Sequence, residues 1–175
     1  MYKNLLSLSL GCFAIVAFGC SAESGGAAKS EPTGPSAAGA AYVLAEEPTG
    51  AIGVAEARDK AEDEKEVIVV GRIGGSSNPW IENRAAFSLV DQSLKACSDI
   101  EGDACETPWD YCCETDKLPG ATALIKVVDA DGEIVKEDAR TLLGVKELST
   151  VVVKGKADRD DDGNLTILAS NIFVK

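Results

Sequence analysis

A mainly β domain, five short strands rolled into a small and partly open barrel, is the fold the sequence predicts. A short helix is expected before strand 1, a helical turn between strands 3 and 4, and a cysteine-rich insertion between strands 2 and 3. Three observations predict it. From residue 66 onward, β-branched runs alternate with Gly-, Asp- and Asn-rich clusters that read as turns. Apolar residues make up 45% of the 175, enough for one modest core. Closing the sheet on itself would also remove the edges that such valine-rich strands expose.

The chain opens with MYKNLLSLSLGCFAIVAFGC. Lys3 is a positive n-region, and Leu5 to Phe18 form an apolar stretch of secretory size, too short to span a bilayer comfortably. Residues 1–19 are therefore expected to be a signal peptide. Its end, Ala17-Phe18-Gly19-Cys20, resembles the lipobox of bacterial lipoproteins, although Phe18 stands where that motif usually has a small residue. The resemblance implies a diacylated Cys20 as the mature N-terminus and a membrane partner reached through that lipid. Ser21 stands where some bacteria read Asp as an inner-membrane retention signal, so the expected address is the outer membrane, facing the periplasm.

Residues 20–51 are rich in Gly, Ala, Ser, Pro and Glu, lack an apolar face, and read as a flexible tether with one sticky spot at Tyr42-Val43-Leu44. The domain is expected over 52–175. Val54, Ala57 and Ala61 recur at helical spacing, with Glu56 and Lys60 paired on the outer face. The strands follow at Glu66 to Gly74, Ala85 to Asp91, Ala121 to Asp129, Ser149 to Ala157 and Asn164 to Val174. Asp129-Ala130-Asp131-Gly132 is turn chemistry before a short Glu133 to Lys136 strand, and residues 138–145 suggest a capped helical turn. Gly71 and Gly155 fall mid-strand, where glycine marks a bend or bulge.

Five strands with a helical element between the third and fourth match the OB-fold. Glu66 to Ile73, then Phe87-Ser88-Leu89-Val90-Asp91, resembles the opening of bacterial OB-fold domains. Val151 to Lys156, a polar turn, then Leu165 to Ile172 resembles their closing hairpin. With its cysteine loop the whole arrangement is similar to uncharacterised envelope lipoproteins of planctomycete-type bacteria, a likeness that carries no activity with it.

Four cysteines, Cys97, Cys105, Cys112 and Cys113, lie in the insertion 92–120. An even number of cysteines in an exported chain reads as disulfides. A bond between Cys112 and Cys113 would close a strained ring, so each is expected to pair with one of Cys97 and Cys105, in either combination. The alternative is a four-thiolate zinc or copper(I) site on Cys97, Cys105, Cys112 and Cys113. The gaps of seven, six and zero residues depart from C-x-x-C knuckles and weigh against it. A redox pair is disfavoured as well. From Asp91 to Asp116 there are eight acids and one base, Lys95, a field that raises thiol pKa values.

Histidine is absent from the chain, which excludes Ser-His-Asp and Cys-His catalysis and His-ligated metal or haem. Acids outnumber bases 29 to 17, a net charge of −12, so nucleic acid is an unlikely partner. The run Asp158 to Gly163 looks in part like a calcium loop, but Ala169 stands where the bidentate Glu is needed; a hairpin turn is expected. Trp80, Trp109 and Tyr111, with Arg72 nearby, are the candidate ligand-binding residues, a stacking face for a peptide, an oligosaccharide or an envelope protein. The expectation is thus a non-enzymatic, lipid-anchored binding or scaffolding module that needs no cofactor. Metal handling by the cysteine loop is the alternative.

Overall fold

The computed structural model describes residues 34–175. The expected signal peptide, residues 1–19, and the expected lipidation site Cys20 lie outside the described residues. Six strands form one mixed sheet: β1 (Ile52–Gly53), β2 (Glu66–Ile73), β3 (Ala86–Val90), β4 (Thr122–Val127), β5 (Thr150–Arg159) and β6 (Leu165–Val174). Three short α-helices accompany them: α1 (Val54–Lys60), α2 (Leu118–Ala121) and α3 (Ala139–Leu143).

Hydrogen bonding runs round a ring. β2 pairs antiparallel with β3 through Arg72↔Val90, β3 with β4 through Ala86↔Lys126, and β5 with β6 along most of their length. β4 and β6 are parallel, in register Leu124↔Thr166. β5 returns to β2 from Glu66↔Lys156 to Arg72↔Thr150. The five long strands correspond to the five read from the sequence. The sixth, β1, is two residues beside Val69 and Val70, too short to leave a periodic signal. The expected strand at Glu133 is reduced to a single bridge, Val128↔Ile134.

Local chemistry explains the junctions. Asp138 caps α3 by accepting the Arg140 N–H, and Gly144 ends that helix in the left-handed region at φ 68°. α1 buries Val54 and Ala57 and leaves its charged residues outside. Its C-terminal carbonyls, Ala57, Arg58 and Ala61, accept from the Arg159 guanidinium. At Gly155 the β5–β6 register slips, and a Cβ there would lie 2.8 Å from Ala169 Cα. Gly71 serves close approach rather than a bulge. Its β5 register is unbroken, and a Cβ would meet the Val90 carbonyl at 2.6 Å.

The packed domain starts earlier than residue 52. Ser36 N–H donates to the carbonyls of Thr141 and Leu142, and Tyr42 to Leu44 exchange backbone hydrogen bonds with Ile172. Gly39 lies flat against the Leu142 carbonyl, where any side chain would collide. This segment attaches by backbone pairing and small residues, and Tyr42 and Val43, from the sticky spot read in the sequence, pack against the main core.

The main core gathers Val54, Val69, Phe87, Leu89, Ile125, Leu142, Val153, Ile167 and their neighbours inside the ring. A second cluster of Val90, Leu94, Ala96, Tyr111 and Ala121, with Leu118 and Leu148 against it, belongs to the cysteine insertion.

Candidate functional site

The insertion leaves the end of β3 and returns through α2 to β4. Its small core turns on Tyr111, fully buried although it sits at φ 58°. Gly74 makes room for the ring: a Cβ there would lie 2.9 Å from Tyr111 Cε2. The loop is pinned to the sheet by Gly75 N–H donating to the Trp109 carbonyl at 2.8 Å. Asp110 then folds the chain over Tyr111 as an Asx turn, its Oδ1 accepting the Cys112 N–H at 2.9 Å. Its Oδ2 accepts the Thr107 hydroxyl at 2.8 Å. Cys97 is held from the other side, its N–H donating to the Pro108 carbonyl at 3.0 Å.

This folding collects the sulfurs. Cys97 Sγ lies 3.4 Å from Cys112 Sγ and 3.7 Å from Asp110 Oδ1, and Cys105 Sγ lies 3.9 Å from Cys112 Sγ. One ligand atom from each of Cys97, Cys105, Asp110 and Cys112 falls within 4.8 Å of all the others. Cys113 Sγ faces Asp103 Oδ2 at 3.7 Å, forming with Cys97 a second, overlapping group. Cys97, Cys105, Cys112 and Cys113 are unbonded in this structure, with the sulfurs of Cys97 and Cys112 3.4 Å apart and those of Cys105 and Cys112 3.9 Å apart, against the ~2.05 Å of an S–S bond. Hydrogen bonds shared with Cys97 and Cys105, together with desolvation, push the Cys112 thiol far up. Burial opposes ionisation of Asp110, yet the hydrogen bonds from Thr107 and Cys112 hold its carboxyl below the usual range. Sequence reasoning singled out the cysteines but not Asp110, which is one of the eight acids from Asp91 to Asp116.

The aromatic residues expected to form a stacking face are split between the two cores. Trp80 is 5% exposed, tilted against Phe87, with the Arg140 guanidinium over its ring. Its Nε1–H donates to Glu147 at 2.6 Å. Tyr111 is wholly buried in the loop's cluster. Trp109 is half-buried and donates from Nε1 to the Ser77 carbonyl at 3.1 Å. Arg72 is committed to an ion pair with Asp99. The correction is that Trp80 and Tyr111 offer no open ring. Each found a partner that its own stretch of sequence does not reveal, the half-buried Glu147 for Trp80 and the buried Gly74 for Tyr111.

A different concavity is open. A groove of about 550 Å³ runs along β4 and β6 beside the β5–β6 turn. Arg58, Lys126, Asp158, Asp160 and Asn164 line it, together with Ser88 and Thr166. Asp160 shapes the turn by accepting the N–H groups of Asp162 and Asn164. The run Asp158 to Gly163 is thus the hairpin turn expected from the sequence, and it forms one wall. Arg58 also donates to the Thr122 carbonyl at 2.9 Å, fixing the wall at α1. Sequence reasoning missed this groove because its residues come from six separate elements, α1, β3, α2, β4, β5 and β6.

No protein-family model matches the chain, and no curated protein matches it. No helix among the described residues is long and apolar enough to cross a membrane.

Proposed function

We propose that this protein is a non-catalytic recognition module of the OB type, held at the cell envelope by a lipid on Cys20. The OB reading draws support from strand order and direction. The ring runs β2–β3–β4–β6–β5 and back to β2, its third and fifth long strands are parallel, and α3 falls between the third and fourth.

The observation that carries the function is the groove on β4 and β6. OB domains recognise ligands on the face of their second and third strands and with the loop between their fourth and fifth. Here those elements are β3, β4 and the turn 160–164, and the groove draws on all three. Two cations, two carboxylates and several hydroxyls give it donors and acceptors in balance. Such a lining suits a polar ligand of little net charge, a glycan strand or short peptide of the envelope. The net charge of −12 repels a polyphosphate backbone.

Soluble disaccharide-peptide fragments of peptidoglycan, which carry both chemistries, are the probe. Titration followed by NMR is expected to shift the amides of Ser88, Lys126 and Thr166. Losing one hydrogen bond to a charged group corresponds to about 1.5–3 kcal/mol, so Lys126→Ala or Asp158→Ala weakens binding roughly tenfold or more. Trp109→Ala leaves it unchanged. Binding indifferent to both groove variants would overturn the assignment. The anchor is checked by intact mass of the membrane fraction, which is expected to show a diacylated chain beginning at Cys20.

A further inference from the structure

We propose that Cys97, Cys105, Cys112 and Asp110 form a tetrahedral zinc site, with Cys113 outside it. The spacing of the cysteines lacks the knuckles that usually advertise such a site. The fold supplies the geometry instead, and Asp110 supplies the fourth donor that the thiol pattern does not contain.

The distances fit a shared ion. Zinc–sulfur bonds near 2.3 Å at tetrahedral angles put neighbouring thiolates about 3.8 Å apart. The observed sulfur separations are 3.4 and 3.9 Å, and the Cys97 sulfur lies 3.7 Å from Asp110 Oδ1. All four ligand atoms fall within 4.8 Å of one another, so an adjustment of no more than about 1 Å brings them round one ion.

The donor set selects the metal. Three thiolates suit a borderline-soft ion, and the carboxylate oxygen favours zinc over copper(I), which prefers sulfur alone. The carboxylate is already oriented by the Thr107 hydroxyl and the Cys112 N–H, the kind of outer partners that hold a ligand in place. A divalent cation also relieves a loop carrying eight acids and one base between Asp91 and Asp116. On binding, each coordinating thiol gives its proton to solvent. Cys113 Sγ faces Asp103 and, although close to Cys97, does not join the group in which Cys97, Cys105, Asp110 and Cys112 are all mutually within 4.8 Å. With four protein ligands the site is closed, leaving no open position on the ion for water or substrate.

The test uses the full chain, purified in detergent under anaerobic reducing conditions and titrated with Zn2+ and, as a spectroscopic substitute, Co2+. The expected result is one metal per chain, with the intense visible bands of tetrahedral cobalt and thiolate charge transfer. Cys113→Ser retains it. Cys105→Ser and Cys112→Ser lower affinity by more than the roughly 10–100-fold typical of losing an outer partner. Asp110→Asn weakens binding and changes the cobalt spectrum. Cys97 is buried, so the more accessible Cys105 and Cys112 carry the test, with circular dichroism confirming that each variant folds. The proposal is overturned by absence of stoichiometric metal in the reduced chain, or by Cys113→Ser being as damaging as Cys112→Ser. Copper(I) binding indifferent to Asp110→Asn, or native protein with every thiol oxidised and no metal, overturns it equally.

Discussion

Replacing Asp91 should expose how α1 is held to the sheet. The helix has no capping side chain of its own, because its N-cap is Gly53. Asp91, at the end of β3 and 36 residues downstream of the helix N–H it binds, serves instead. Its Oδ2 accepts the Ala55 N–H at 2.9 Å and its Oδ1 the Ser93 N–H at 2.8 Å, while the side chain is only 7% exposed. A Cβ at residue 53 would lie 2.6 Å from Oδ2, so glycine is needed for the carboxylate to reach the helix.

Each hydrogen bond to a charged acceptor contributes about 1.5–3 kcal/mol, and lost caps cost about 1 kcal/mol when water can re-enter. With one bond in each category, Asp91→Ala is expected to destabilise the domain by about 2–4 kcal/mol. Asp91→Asn keeps an acceptor but loses the charge facing the helix N-terminus, and about 1–2 kcal/mol is expected. Burial opposes the charged form, yet the hydrogen bonds from Ser93, Ala55 and Val54 outweigh it and hold the Asp91 carboxyl below its ordinary value. A depressed folded-state pKa gives stability that is complete above the unfolded value of about 3.9 and is lost as pH falls through the folded one. Urea unfolding, followed by tryptophan fluorescence from pH 7 to 3, is the assay. Asp91→Asn should flatten the acid limb in part, since Asp138 and Asp160 are also held low by their hydrogen bonds. A change under about 0.5 kcal/mol for Asp91→Ala at pH 7 would refute the capping argument.

Two further predictions use the same unfolding assay. Tyr111 Oη is buried without a hydrogen-bond partner, so Tyr111→Phe should leave stability unchanged or raise it by about 1–2 kcal/mol, whereas Tyr111→Ala should cost about 3–5 kcal/mol. A loss above 1 kcal/mol in the Phe variant would reveal a needed hydroxyl. Gly155→Ala should cost about 1–3 kcal/mol, because the new methyl meets Ala169 Cα at 2.8 Å; Gly120→Ala, with nothing within 4 Å, should be neutral or mildly stabilising and serves as its control.

The strands were legible because their chemistry is local. Val67 to Val70 and Val151 to Val153 are β-branched, and Asp160 with Gly163 marks a turn whatever surrounds it. Val54 and Ala57 announced the buried face of α1 for the same reason. What stayed hidden depends on partners remote in the chain. Trp80 looked like a surface aromatic because Glu147, which takes its indole proton, is 67 residues away. Residues 36–44 looked like tether because their attachment is through backbone groups, which every residue type carries. In the loop, the cysteines declared themselves by type. Asp110 did not, since only the Asx turn over Tyr111 separates it from seven other acids.

That turn bears on the order of cause in the loop. If sulfur chemistry organised the insertion, the apolar residues around the cysteines would have no reason to pack. They do pack: Leu94, Ala96 and Tyr111 join Val90 and Ala121 in a cluster of their own, and Gly74 is left bare to admit the Tyr111 ring. Burying one such side chain contributes about 1.5–3 kcal/mol, comparable to what a disulfide across a short loop provides. With Tyr111 fixed inward, the residues on either side, Asp110 and Cys112, reach Cys97 together, before any sulfur is engaged. The apolar cluster is therefore the scaffold and the sulfur group its load. It follows that exchanging Cys105 or Cys112 for serine should disturb the loop less than exchanging Tyr111 for alanine, an order that amide hydrogen exchange over residues 92–120 can read directly. The reverse order would mean that the sulfurs, not the ring, hold the loop together.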